Sequence, residues 1–184
     1  RFEDAVKLDK IPYEEAVELS YYGASIIHPK TLKPLQNKQI PLYVKSFFQP
    51  EAEGSVITSC PLSMDIPSYI VKDDQMLITI FPRDFSFIAV DNLSEIFSVL
   101  SKYRIKINMM QNSALSFSVC TDNVPERVLQ CIAALQDDYK VKYNDNVQLI
   151  TIRHYTDESI EKVLRNREIL MRQTSRATIQ FAVK

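Results

Sequence analysis

An α+β fold is predicted by three features of this chain. Residues 75–146 alternate in the order strand, helix, strand, strand, helix, strand. From residue 147 the same order begins again, and residues 11–57 ahead of both read as a separate segment of helices and short strands.

The first alternation is carried by period-two and helical patterns. In 75–81, Met76, Ile78 and Ile80 alternate with Leu77, Thr79 and Phe81, and Pro82 stops the strand. Asp91 or Asn92 is placed to cap a helix with Glu95 behind it, its inward stripe being Leu93, Ile96, Phe97 and Leu100. Strands are expected at 106–110 and 115–120. In the latter, Leu115, Phe117 and Val119 alternate with Ser116, Ser118 and Cys120, which predicts one buried and one wet face. Pro125 opens a helix with Val128, Leu129, Ile132 and Leu135 inward, and 139–143 closes the unit as a strand.

The second alternation starts with a strand at 147–154. A helix capped near Thr156 follows, with Asp157 and Glu158 in its first turn, and then a hairpin of 169–173 and 177–183 turned at Thr174, Ser175 and Arg176. One helix and one strand are wanting from a full repeat. The short strand 69–71, which a turn at Asp73 and Asp74 separates from the first unit, can supply the edge. The order is that of tandem ferredoxin-like (βαββαβ) modules, the first (75–146) nested within the second (69–72 plus 147–184).

In the leading segment Tyr13, Ala16, Val17, Ser20, Tyr21 and Ala24 fall on one helical stripe behind Pro12. Gly23 ends that helix where a positive φ is needed, and Pro29 opens a second helix carrying Leu32 and Leu35. A strand is expected at 40–46, and Gly54 turns the chain into another. His28 reads as a helix-start residue. Two prolines among small residues make 59–68 a linker, so that 1–58 stands apart.

Composition narrows the function classes. With 184 residues, 46% of them apolar, the chain can fill one or two small cores. A formal net charge of -1 argues against a nucleic-acid or membrane surface, and the basic residues of the tail (Arg153, Lys162, Arg165, Arg167, Arg172, Arg176) interleave with Asp157, Glu158, Glu161 and Glu168. Cys60, Cys120 and Cys131 show neither a paired framework nor a metal spacing, which suits a reducing cytoplasm. Neither Gly23 nor Gly54 belongs to a cluster that could wrap amides around a phosphate.

The leading segment resembles the end of the catalytic domain of aspartokinases, which phosphorylate the side-chain carboxylate of aspartate. The resemblance lies in Tyr13-Glu14-Glu15-Ala16, Tyr22-Gly23-Ala24, His28-Pro29, Ile40-Pro41 and Gly54-Ser55. It implies that the two ferredoxin-like modules are the ACT domains of such an enzyme's regulatory region. The glycine-rich phosphate loop and its lysine would then lie upstream of Arg1. The chain, read as a piece of a longer protein, should be inactive alone: no catalytic residue, no metal ligand and no cofactor are expected in it, whereas ATP and Mg2+ are expected for the parent kinase.

The resemblance also implies an amino-acid effector, lysine ahead of threonine, held where two first modules meet in a homodimer. Carried over by position, the effector-binding residues are Arg83, Asp84, Phe85, Ser86 and Phe87 with Ile88 in the loop after the first strand, Lys106, Ile107 and Asn108 facing it, and Gln111, Asn112, Ser113 and Ala114 closing the pocket. The residue types suit a free amino acid, because Asn108 and Asp84 can accept from an ammonium while Ser113, Asn112, Gln111 and backbone amides can donate to a carboxylate. Lysine-inhibited relatives usually hold an aspartate where Asn108 stands. Read by type alone, Asn108, Gln111 and Asn112 serve equally as strand-end and turn residues, and Phe85 and Phe87 as packing or interface aromatics.

Competing classes fit less of the chain. A self-sufficient transferase needs a phosphate loop that Lys7, Lys30, Lys33 and Lys45 do not belong to. A ferredoxin-like RNA-binding module needs stacking aromatics on its central strands, where Ser116, Ser118 and Cys120 stand. A regulatory segment of a bifunctional aspartokinase/homoserine dehydrogenase, or a non-catalytic ferredoxin-like binding module, remains as the alternative.

Overall fold

The computed structural model describes residues 5–24, 27–61, 66–84 and 86–184. The chain divides between Ile66 and Pro67 into two compact units. Residues 62–65 of the expected linker lie outside the described residues, as does Phe85.

In the first unit, β1 (Lys10–Pro12) leads directly into α1 (Tyr13–Tyr22), and α2 (Pro29–Asn37), β2 (Leu42–Val44) and β3 (Ser55–Thr58) follow. β3 is central, parallel to β1 and antiparallel to β2. Gly23 sits at φ 117° and donates to the carbonyls of Leu19 and Ser20, so it ends α1 as expected. His28 caps α2, its Nδ1 accepting from Lys30 N at 3.2 Å. Ile11, Tyr13, Ala16, Leu32 and Ile57 form the core. Tyr21, expected on the buried stripe, is 69% exposed, and Leu19 is buried instead.

The second unit is one six-stranded sheet. Its elements are β4 (Ser68–Pro82), α3 (Val90–Lys102), β5 (Ile107–Asn112), β6 (Phe117–Asp122), α4 (Pro125–Leu135), β7 (Tyr139–Arg153), α5 (Asp157–Leu164), β8 (Ile169–Thr174) and β9 (Thr178–Val183). The strand order is β5-β6-β4-β7-β9-β8. Two expected breaks are absent. Residues 69–71 and 75–81 are a single strand that bulges between Lys72 and Gln75, with Asp74 at φ 51°. Residues 139–143 and 147–154 are likewise one strand, with Asn146 at φ 51°.

These two long strands pair with each other from Ser68↔Arg153 to Pro82↔Tyr139. Each contributes its halves to different modules. The first has the order β5-β6-β4-β7, using the Gln75–Pro82 end of β4, and the second sets the Ser68–Lys72 end of β4 beside β7, β9 and β8. The architecture is therefore α+β with ferredoxin-like repeats, as the sequence predicts, and β4 and β7 run through both.

One face of the first module packs Met76, Ile78, Ile80, Phe117 and Val119 against Ile96, Leu100, Val128, Cys131, Ile132 and Leu135 of α3 and α4. The other face is covered at one end, while Thr79, Ser116 and Ser118 on it stay half-buried. Leu77, Met109 and Cys120 pack with Val147, Leu149, Met171 and Ala182, so the second module covers the side on which Cys120 was expected to meet water. Phe97 and Leu129, expected inward, are 38% and 51% exposed. Cys131 takes the inward place on α4 that Leu129 was assigned.

Candidate functional site

The residues expected to hold an effector occupy two places in the second unit. The loop after β4 is tied to the β5–β6 turn, because Ile88 N donates to Ala114 O at 2.9 Å. That turn is closed by Ser113 N donating to Ser116 O at 2.8 Å, with the two serine hydroxyls also 2.8 Å apart. Ser86 N donates to Asp84 Oδ1 at 3.1 Å, and the Ser86 side chain first, with this backbone bond second, holds the Asp84 carboxyl below its ordinary range. Arg83 donates to the carbonyl of Gln136 at the end of α4. Phe87 is 73% exposed, and Gln111, Asn112, Ser113 and Ala114 are exposed as well.

Beside this loop lies an open groove of about 900 Å³ between α3, α4 and the end of β4, lined by Arg83, Asp84, Asn92, Glu95, Asp138 and Tyr139 among others. Tyr139 donates from its hydroxyl to Glu95 Oε2 at 2.8 Å. None of residues 106–114 lines it.

Asn108 stands at the other end of β5. Register places Ile107 opposite Thr121 and Asn112 opposite Phe117, while Thr121 faces Met76 and Phe117 faces Ile80. Asn108 is thus near the bulge of β4, whereas Ser113 and Ala114 are near its Pro82 end. A strand rises about 3.3 Å per residue, so the two places are separated by roughly the length of β5. Lys106 is exposed and Ile107 packs against the edge of the first core.

Around Asn108 the fold gathers partners from two other strands, β4 and β6. Asn108 Nδ2 donates to Asp122 Oδ1 at 2.7 Å and to Gln75 Oε1 at 2.8 Å, and Oδ1 accepts from Lys72 Nζ at 2.9 Å. Gln75 Nε2 donates to Asp122 Oδ1 at 3.1 Å and to the Asp73 carbonyl at 3.1 Å. Lys72 Nζ lies 4.0 Å from Asp122 Oδ1. Burial lowers the Lys72 ammonium's pKa, helped by the charge of Lys106, and outweighs the opposing pull of Asp122. Burial alone would push the Asp122 carboxyl up. The hydrogen bonds from Gln75 and Asn108 and the charges of Lys72 and Lys106 together hold it below the ordinary carboxylate range.

Lys72, Gln75 and Asp122 were not among the residues expected at the site. Asp122 could have been suspected as a polar strand end beside a buried run. Lys72 and Asn108 stand 36 positions apart, and only strand pairing brings them together. Cys120 and Cys131 offer no reactive thiolate: burial pushes Cys120 up to about 12 and Cys131 up to about 11. Among the described residues no group of three or more His, Cys, Asp or Glu could hold a metal, and no helix is long and apolar enough to cross a membrane.

The amino acid kinase family matches residues 1–46. The chain is 28% identical over 144 residues to a bifunctional aspartokinase/homoserine dehydrogenase 2 of Zea mays, covering 74% of this chain and 16% of the relative. It is 27% identical over 121 residues to the lysine-sensitive aspartokinase 3 of Escherichia coli, covering 64% of this chain and 26% of the relative. Among solved structures, the aspartate kinase of Clostridium acetobutylicum superposes with a TM-score of 0.82 at 20% identity, over 99% of this chain and 46% of that one. A C-terminal regulatory domain of an aspartate kinase from Porphyromonas gingivalis superposes with a TM-score of 0.56 at 18% identity, over 66% of this chain and 88% of that domain.

By sequence and by fold this chain resembles a region of aspartokinases. The amino acid kinase match lies in the first unit, and the six-stranded sheet of the second unit follows it in the chain. The chain spans about a sixth and about a quarter of the length of the two curated relatives.

Proposed function

We propose that this chain is the regulatory region of an aspartokinase, binding an amino-acid effector that feeds back on aspartate phosphorylation. The observation that carries the reading is the nested pair of modules on one sheet, β4 and β7 being shared by both, behind a segment that matches the amino acid kinase family. Catalysis, with ATP and Mg2+, is assigned to the parent protein and not to residues of this chain.

L-lysine is the favoured effector, with L-threonine second. Support comes from the likeness to a relative named as lysine-sensitive and from donors and acceptors suited to a free amino acid in the loop 83–88 and the segment 106–114. In one copy the loop 83–88 with residues 111–114 lies at one end of β5 and residues 106–108 at the other, and β5 is an edge strand. Antiparallel pairing of two such edges about a two-fold axis would set residues 106–108 of one copy beside 111–114 of the other, completing the site in a homodimer. Exposed Phe87 and Met110 near that edge favour such cover.

An inhibitor acts only through unequal affinity for two states of the enzyme, and a coupling of about 1–3 kcal/mol would change affinity by about 5–150-fold. Titration calorimetry of the purified chain with L-lysine, L-threonine and L-methionine tests the reading; heat and saturation with one of them support it, and none with any removes it. The match to the maize bifunctional relative favours a second reading, in which the parent also carries a homoserine dehydrogenase. An assay of the full-length parent for that activity separates the two.

A further inference from the structure

The cluster around Asn108 has the polarity of an ammonium site. Both donors of its carboxamide are taken, by Asp122 Oδ1 at 2.7 Å and Gln75 Oε1 at 2.8 Å, so its orientation is set and Oδ1 is turned toward Lys72. The Asp122 carboxylate supplies the countercharge on the same side. Gln75, itself only 3% exposed, holds both groups in place. The occupant is the chain's own side chain: the Lys72 ammonium makes one short hydrogen bond, to Asn108, with the Asp122 oxygen out at 4.0 Å. An ammonium has three donors, so this hold is loose.

We propose that Asn108 and Asp122, braced by Gln75, form a seat for a primary ammonium that Lys72 fills, and that an amino-acid effector binds by displacing Lys72 from it. The second clause rests on the effector reading above; the first does not. Lys72 belongs to the Ser68–Lys72 stretch of β4 that edges the second module, whereas Asn108 and Asp122 belong to β5 and β6 of the first. Exchange of one ammonium for another therefore releases a tie between the two modules, which gives the effector something to change.

The experiment compares the unsubstituted chain with Lys72→Ala, and with Lys72→Met, which keeps the packed stem should the alanine variant not fold. Each is titrated with L-lysine by calorimetry and melted with and without n-butylammonium chloride, against sodium chloride at equal ionic strength. Both variants should bind L-lysine about ten-fold or more tightly than the unsubstituted chain, since they no longer carry the competitor. The butylammonium ion should raise the melting temperature of Lys72→Ala and leave the unsubstituted chain unchanged. Equal or weaker L-lysine binding by the variants would overturn the displacement while leaving effector binding intact. If L-lysine bound to neither form, the lysine reading and the displacement would fail together, and the seat would be decided by butylammonium alone: stabilisation of the alanine variant upholds it, and no stabilisation overturns it.

Discussion

Asn108 donates from Nδ2 to Asp122 Oδ1 at 2.7 Å, across neighbouring strands. The same side chain meets Gln75 and Lys72, so it closes a polar network beside the apolar cluster of Leu77, Met109 and Cys120. Asn108→Ala leaves Asp122 and Lys72 each short of a partner. The expected loss is about 1–3 kcal/mol, the usual result of stranding part-buried polar groups. Urea unfolding of the variant beside the unsubstituted chain checks it, and equal midpoints would contradict it.

The pH dependence follows from Asp122. Its carboxyl titrates lower in the folded chain than in the unfolded one. The stability it contributes is therefore fully present above the unfolded pKa of about 3.9 and is lost as pH falls through the lower folded value. Asp122→Asn should flatten the fall of stability over that acid window, measured as melting temperature against pH. An unchanged slope would show that other carboxylates govern it.

Because β4 and β7 run through both modules, the second unit should unfold in one step. Phe181 is fully buried on β9, in the second module. Phe181→Ala should cost about 3–5 kcal/mol. It should also speed labelling of Cys131, which is buried in the first module. Destabilisation without faster labelling of that thiol would mean that the modules open separately.

In the first unit, Gly54 holds φ 69°, and a Cβ placed there would lie 2.3 Å from the Val44 carbonyl oxygen. A Gly to Ala change at an unstrained site stabilises by roughly 0.4–1 kcal/mol, whereas Gly54→Ala should destabilise this unit by more than that amount. Circular dichroism melting would show it as a lowered first-unit transition.

Much of this fold was legible in local pattern. The alternation of Met76, Ile78 and Ile80 and the proline that opens α4 each set an element correctly, as did Thr156, whose Oγ1 accepts from Ser159 N at 3.2 Å. Nothing local shows that Asp73 and Asp74 are a bulge rather than a turn. Either reading suits two aspartates, and only the pairing with β7, which resumes at Gln75 after the bulge, decides. Cys120 was assigned to water for a related reason: the cover over its face comes from residues 147–182, beyond the reach of strand alternation. The loop and turn of the candidate site are assigned by resemblance. The partners of Asn108 were not, because Lys72 and Gln75 meet it only once β4, β5 and β6 have paired.

The chain by itself should transfer no phosphate from ATP to aspartate, because neither of its glycines forms a phosphate-cradling loop. A coupled nucleotide-release assay on the purified chain checks this. Turnover that follows the protein through purification would contradict it.

The central claim, that this region binds an amino-acid effector through the loop 83–88 and the segment 106–114, is tested most directly by calorimetry with L-lysine on the unsubstituted chain, Asp84→Ala, Asn108→Ala and Asn108→Asp. Losing one acceptor from a bound ammonium is worth about 1.5–3 kcal/mol, so each alanine variant should bind L-lysine about ten-fold or more weakly. Asn108→Asp keeps an acceptor but loses both Nδ2 donors and sets a second carboxylate against Asp122 Oδ1, so it should bind L-lysine no more tightly than the unsubstituted chain. Saturable binding of L-lysine that all three variants leave unchanged would contradict the placement of the site, and no heat with L-lysine, L-threonine or L-methionine would contradict the claim itself.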